Sequence, residues 1–119
     1  MTLIPHDRTS TPAMRQSFYW TTQDGLTVRP HNMQTSHIFN CIVMLWHHFM
    51  PTEAILYPHK RYRMGSRFTA EFIETALRVL LPELAARDDL TVFQLQSLEK
   101  IAVYLRKKPN QLPTPEWHL

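Results

Sequence analysis

The sequence predicts an α+β domain in which one β-hairpin, at about residues 18–29, packs on three helices. The hairpin is indicated by an aromatic, β-branched run, an Asp-Gly turn and a short return strand. The helices are indicated by apolar residues at helical spacing over about residues 36–49, 69–87 and 92–107. A proline follows the hairpin, the first helix and the third helix, where each segment is expected to end.

The hairpin turn is assigned to Asp24 and Gly25. A two-residue turn of type I′ requires positive φ at both central positions, and Asp-Gly is among the pairs that accept it. That loop length places Trp20 opposite Arg29, so that the indole ring and the guanidinium can stack. A lone hairpin is only marginally stable in water, and we therefore expect it to pack on the first helix.

The first helix is expected to begin after Thr35 or Ser36, either of which can cap a free N–H group of the first turn. Its apolar residues lie almost all round the helix, and only Asn40 and His47 mark a solvent-facing side. A helix of this kind is usually central and buried.

The second helix, at about residues 69–87, contains Pro82, which removes a backbone hydrogen bond and clashes one turn back. We therefore expect a kink at Pro82, or a break with Pro82 opening a new turn. The residues predicted for its buried face are Ile73, Ala76, Leu77, Leu80, Leu81 and Leu84.

The third helix has the clearest start, because Thr91 and Gln94 form a capping box and Leu90 can pack on Leu95. Its last turn carries Arg106 and two lysines, which the negative end of the helix dipole favours. The residues predicted to face the core are Leu95, Leu98, Ile101, Ala102 and Leu105.

The length of 119 residues predicts a single domain spanning residues 1–119. Residues 1–16 have no periodicity and are interpreted as a loose arm, and residues 109–119 as a proline-rich tail. Cys41 is the only cysteine, so an internal disulfide is excluded and a reducing compartment is expected.

The net charge of +3 is mildly basic and permits an anionic partner without requiring one. With only two glycines, a Gly-rich phosphate-binding loop is disfavoured. No signal peptide is recognisable and no apolar run is long enough to span a bilayer, so we expect no membrane association and a cytoplasmic location. The oligomeric state stays open.

His37, Cys41 and His48 share one face of the first helix. His37 and His48 lie about 16 Å apart along the helix axis, too far to share one ion, so we predict no metal site and no cofactor. Cys41 with His37 one turn earlier can be a nucleophile and its base, but a cysteine on an apolar helix is normally an inert small hydrophobe. We therefore predict no catalytic residues and no enzyme activity.

Residues 57–67, hereafter the basic segment, are the strongest functional lead. Arginines offer charge and planar donors to phosphate, and tyrosines can stack on bases. The same segment can also dock on an acidic protein surface, or be only a solvated loop. The candidate binding residues are Tyr57, His59, Lys60, Arg61, Tyr62, Arg63 and Arg67.

One segment resembles small, mostly uncharacterised proteins of tailed phages and prophages. It covers residues 20–40 and has the pattern W-T-x-x-D-G followed by M-x-x-S-H-I-x-N. The resemblance implies a context rather than a mechanism, because short phage accessory proteins often bind a host complex and block it, as anti-CRISPR and host-takeover proteins do.

The leading hypothesis is therefore a non-catalytic, phage-type binding protein. It would inhibit or modulate a host protein or nucleoprotein complex, such as a bacterial defence system. The alternative is a protein that binds nucleic acid directly through the basic segment. A metal-dependent or cysteine enzyme is the third and least favoured class.

Overall fold

The computed structural model describes residues 18–22, 24–57 and 68–107, and the predicted arm (1–16) and tail (109–119) lie outside them. The α+β architecture of one hairpin and three helices is confirmed. Two short 3-10 helices lie on either side of the first α-helix. The elements are β1 (Trp20–Thr21), β2 (Thr27–Val28), the 3-10 helix Pro30–Asn32, α1 (Thr35–Phe49), the 3-10 helix Thr52–Ala54, α2 (Ala70–Ala85) and α3 (Val92–Lys107).

The hairpin turn is one residue longer than predicted, and the type I′ assignment is wrong. Thr22 donates its N–H to the Leu26 carbonyl (2.8 Å), and Gly25 donates to the Thr22 carbonyl (3.0 Å). Gly25 has φ of +85°, whereas Asp24 does not have a positive φ. Three residues therefore separate Thr22 from Leu26, with glycine at the left-handed position, as in the next most common class of hairpin loop.

The longer loop shifts the strand register by one residue, and the predicted Trp20–Arg29 stack is wrong. Trp20 pairs with Val28. Arg29 instead contacts Tyr19: its Nη2 and Nε donate to the Tyr19 hydroxyl at 3.0 and 3.3 Å, and its Cζ lies 5.2 Å from the ring centroid. Because neighbouring residues of a strand point to opposite faces, Trp20 is directed into the core.

The hairpin is held to the start of α2 by aromatic contacts. The ring centroids of Phe18 and Phe72 are 6.2 Å apart, and the ring of Trp20 lies 6.4 Å from Phe68 and 6.5 Å from Phe72. Such separations are typical of favourable aromatic pairs. The hairpin, which was predicted to pack on α1, thus also packs on the start of α2.

The start of α1 differs from the prediction, because Gln34 is the N-cap residue and makes no side-chain cap. Thr35 is the first helical residue and its hydroxyl is used in a tertiary contact. It donates to Asp89 Oδ1 (2.7 Å) and accepts from Arg87 Nη1 (3.2 Å). Arg87 also donates to the Pro30 carbonyl at 3.0 Å. These bonds join the exit of the hairpin, the start of α1 and the connection between α2 and α3.

Helix α2 continues through Pro82, so of the two alternatives, a kink or a break, the break is wrong. Pro82 lies in the last turn, and its carbonyl still accepts from Ala86 N–H (3.1 Å). Thr69 caps the other end by accepting from Phe72 N–H at 3.1 Å. All the residues predicted for its buried face are buried.

The capping box of α3 is confirmed by two bonds. Thr91 N–H donates to Gln94 Oε1 at 2.9 Å, and Gln94 N–H donates to Thr91 Oγ1 at 3.1 Å. Of the five predicted core residues, Leu98, Ile101, Ala102 and Leu105 are buried, whereas Leu95 is 39% exposed and its assignment is wrong. Gln94 and Ser97 are buried instead. The core-facing side of the helix therefore consists of Gln94, Ser97, Leu98, Ile101, Ala102 and Leu105.

The expectation that α1 is a central helix is confirmed, but the exposed position assigned to His47 is wrong. His47 is 2% exposed. The chain after α1 folds back over its last turns through the 3-10 helix Thr52–Ala54, so that His47 Nε2 accepts the Leu56 N–H at 3.1 Å. Trp46 Nε1 likewise donates to the Ala54 carbonyl at 2.9 Å.

Candidate functional site

Of the predicted binding residues, Tyr57 is the one that the described ranges include. His59, Lys60, Arg61, Tyr62, Arg63 and Arg67 lie outside the described residues. The structure therefore shows where the basic segment begins, beside α1 and α3. It also shows where the chain resumes after the segment, at Phe68 on the hairpin side of α2.

Tyr57 is half-buried and its ring is held between two helices. The ring centroid lies 5.5 Å from that of His47 on α1 and 5.2 Å from that of Phe93 on α3. Burial also raises the pKa of the Tyr57 hydroxyl above its usual value. These contacts favour a role for Tyr57 in anchoring the start of the basic segment.

The backbone of Leu56, the residue just before Tyr57, is hydrogen-bonded on both sides. Leu56 donates its N–H to His47 of α1, and its carbonyl accepts from the ammonium of Lys100 on α3 at 3.0 Å. A charge-assisted bond of this kind is stronger than a neutral one. Lys100 was missed by sequence reasoning, because it lies 44 residues from Leu56 and no local pattern links the two.

A groove of about 650 Å³ runs along α3 beside this bond. Lys100, Tyr104 and Lys107 lie four and three residues apart, so they share one face of the helix. We call these three residues the basic flank of α3. The groove is lined by Gln96, Glu99, Lys100, Val103, Tyr104 and Lys107.

The basic flank combines positive charge with an ordered aromatic residue. Tyr104 is half-buried and meets Trp46 edge to face, with ring centroids 5.9 Å apart. Arg78 on α2 and Arg87 just after it are instead paired with carboxylates of that helix, Glu74 and Glu83. The cations of the flank thus border a concave surface, while those of α2 are largely balanced by adjacent carboxylates.

A second, smaller cleft of about 390 Å³ lies between the hairpin and α1. Its lining includes Trp20, Asp24, His37 and Asn40 from residues 20–40, together with Cys41. Cys41 is buried, and desolvation raises the pKa of its thiol to about 12. Because the thiolate is the nucleophile, a thiol that stays protonated at neutral pH is poorly reactive, which supports a packing role for Cys41.

Comparison with known proteins adds no relative: neither a family model nor a curated protein nor a solved structure matches this chain. Function is therefore inferred from the residues and their geometry. Across the described ranges, no three His, Cys, Asp or Glu side chains come together so that they could hold a metal ion. None of the described helices is both long and apolar enough to cross a membrane.

Proposed function

We propose that this protein is a non-catalytic binding protein that inhibits or modulates a host protein or nucleoprotein complex. Its binding surface is the basic segment together with the basic flank of α3. The observation that carries the proposal is the bond from Lys100 to the Leu56 carbonyl, since it places the start of the basic segment at the edge of the α3 groove.

Charge supports an acidic partner. The basic segment contains Lys60, Arg61, Arg63 and Arg67 in sequence, and the flank adds Lys100 and Lys107. Positive charge gathered along a groove raises the encounter rate with an acidic surface and selects against basic ones. The groove also offers Tyr104 and Val103 as apolar contacts beside that charge, and tyrosine is enriched at protein interfaces.

The surroundings of Tyr57 favour a protein surface over nucleic acid as the direct partner. Proteins that hold single strands use aromatic rings on which bases stack. The Tyr57 ring is engaged by His47 and Phe93 within the protein. Direct nucleic-acid binding through the basic segment remains the alternative function, and it depends on Arg61, Arg63 and Arg67.

The phage-like pattern of residues 20–40 supports a host complex, such as a defence system, as the partner in the cytoplasm. In the structure this stretch forms the hairpin, its exit and the first turns of α1. Its role in the proposal is therefore to build the fold that carries the binding surface.

Capture of the partner with three tagged chains tests the proposal. We expect the wild type to retain a stoichiometric host complex and the R61A/R63A/R67A variant to lose it. A matched control, R8A/R15A/R29A, removes the same number of arginines elsewhere in the chain and is expected to retain the complex. Equal retention by both variants would show that the basic segment is the wrong surface.

Salt-dependent binding to oligonucleotides separates the alternative function. Each phosphate neutralised steepens the fall of log affinity with log salt, by about 0.9 for duplex DNA and about 0.7 for single strands. A protein partner predicts no measurable binding at low salt. A steep slope that becomes shallower in R61A/R63A/R67A, and not in R8A/R15A/R29A, would favour direct nucleic-acid binding instead.

A further inference from the structure

The outward side of α3 carries an unusual share of exposed apolar residues. Within the described ranges six large hydrophobic side chains are exposed, and four of them are Val92, Phe93, Leu95 and Val103 on this helix. Single exposed apolar residues need no explanation, but a group along one helix marks an interaction surface.

Spacing places most of these residues on one stripe. Val92, Leu95, Glu99 and Val103 follow one another at intervals of three and four residues, and Gln96 lies between them, so all five share the side opposite the buried face. We call these five residues the outer stripe. It has Asp88 and Asp89 before its first end and Arg106 and Lys107 at its other end.

We propose that the outer stripe pairs with the outer stripe of a second copy of this chain, with the two α3 helices antiparallel. One alignment of the two helices gives every residue of the stripe a suitable residue opposite it. It places Val92 opposite Val103 of the second copy, Leu95 opposite Lys100, and Gln96 opposite Glu99. Because the pair has two-fold symmetry, every contact occurs twice.

The residues that face each other across the two helices are chemically complementary in this register. Valine meets valine, and the Gln96 amide can donate to the Glu99 carboxylate. The aliphatic stem of Lys100 comes opposite Leu95 and can cover it. A parallel pair would instead place Glu99 on Glu99 and Lys107 on Lys107, which like-charge repulsion disfavours. The charge pattern therefore selects the antiparallel arrangement.

The size of the surface sets the expected affinity. A helix of 16 residues is about 24 Å long, and one helix pair buries less than the roughly 800 Å² per partner of a standard interface. We expect a reversible dimer with micromolar affinity or weaker. The stripe shares Gln96, Glu99 and Val103 with the groove of the proposed function, so the dimer and a bound partner would compete for this side of α3. The test of the dimer uses the purified chain without any partner.

Sedimentation equilibrium over a wide range of protein concentrations measures the dimer directly. The wild type is expected to shift from monomer to dimer as concentration rises, whereas a monomer at every concentration would overturn the proposal. Val92→Asp should weaken the dimer by about tenfold or more, since it buries a carboxylate against valine. Val92 is 70% exposed at the first position of α3, where a carboxylate favours the helix, so folding should persist and circular dichroism checks it.

Leu26→Asp is the matched control, because Leu26 is 64% exposed on the hairpin. The substitution introduces the same charge away from the stripe, and it should leave the dimer affinity unchanged. An equal loss in both variants would mean that net charge, and not the outer stripe, governs self-association.

An added charge within the helix tests the register and the direction of pairing. Gln96→Lys should tighten the dimer by about three- to tenfold, because it sets a lysine opposite Glu99 twice. The double variant Q96K/E99Q removes both charge pairs and should return to wild-type affinity. An affinity of Gln96→Lys that is unchanged or weaker than wild type would overturn the antiparallel register, since a parallel pair sets the two new lysines opposite each other.

Discussion

Helices α1 and α3 have nearly the same length and distribute polarity in opposite ways. α1 spans 15 residues and buries nine of them, including the imidazole of His47. α3 spans 16 residues and buries six, while leaving Val92, Phe93, Leu95 and Val103 exposed. One helix thus places a polar ring in the core, and the other places apolar side chains at the surface.

The contrast follows from what covers each helix. α1 is covered by the hairpin side, by α2, by α3 and by the chain that folds back through Ala54 and Leu56. Among the described residues, α3 reaches the core through Leu98, Ile101 and Leu105, while Val92, Leu95 and Val103 are exposed. Residue type alone therefore does not assign the inside and outside of these helices. The exposed apolar side of α3 is the surface on which the proposed dimer depends.

Trp46→Ala should give the largest loss of stability. Trp46 is fully buried in α1, bonds to the Ala54 carbonyl and packs on Tyr104. Removing such a side chain costs about 3–5 kcal/mol in the free energy of unfolding. Denaturant unfolding measures the loss, with Val103→Ala on the exposed side of α3 as the control. A loss below that of a typical surface substitution would mean that α1 is not the central helix.

His47→Leu should cost about 1–3 kcal/mol, because the Leu56 N–H loses its acceptor inside the protein. His48→Leu is the matched control: His48 is the neighbouring residue of the same helix and is exposed. Its effect should be within about 0.5 kcal/mol. If the two variants were equally stable in denaturant, the bond between α1 and the start of the basic segment would contribute nothing.

Ionisation of the Cys41 thiol should lower the free energy of unfolding at alkaline pH. Its thiol pKa is raised to about 12 in the fold from a reference value of 9.0, so between these values the unfolded chain releases a proton that the folded protein keeps. The unfolding free energy should then fall by about 1.4 kcal/mol per pH unit from this group. Below pH 9 its contribution is constant.

The free energy of unfolding, measured for the wild type and for Cys41→Ala from pH 8 to 11, isolates the contribution of the Cys41 thiol. Tyr57, whose pKa is also raised, titrates in both chains and does not contribute to the difference. The alanine variant should show the shallower decline. Identical slopes would indicate that Cys41 is accessible to water in the folded protein.

Leu95→Ala should have the smallest effect, within about 0.5 kcal/mol in dilute protein, because Leu95 lies on the outer stripe. Leu98→Ala, three residues along the same helix, should cost about 2–5 kcal/mol because Leu98 is buried. The unfolding free energies of the two variants show which side of α3 faces the core. A larger loss for Leu95→Ala than for Leu98→Ala would show that Leu95 lies in the core, as the sequence predicted.

Local signals predicted the secondary structure well. Helical spacing and the Thr91–Gln94 capping box placed α3 at its observed bounds, and the buried face of α2 was predicted correctly. The errors lie where a distant group intervenes. Thr35 was expected to cap α1, but Asp89 and Arg87 bind its hydroxyl.

The candidate site was predictable only in part. The run of basic and aromatic residues at 57–67 predicted a binding segment. It did not indicate that Lys100 bonds to the Leu56 carbonyl at the start of that segment. Likewise, the spacing of apolar residues on α3 gave four of its buried positions but placed Leu95 in the core and missed Gln94 and Ser97. Rotation of a helix about its axis depends on what its neighbours cover, and that is not encoded in its own periodicity.

By itself the sequence determined the α+β class, the positions of three helices and a glycine in the hairpin turn, because backbone propensities, caps and apolar spacing act over a few residues. Only the tertiary structure decided the hairpin register, the burial of His47 and the link between Lys100 and Leu56. These features depend on hydrogen bonds and burial between groups brought together by the whole fold. Polar groups that lose water must find partners wherever the packed chain offers them.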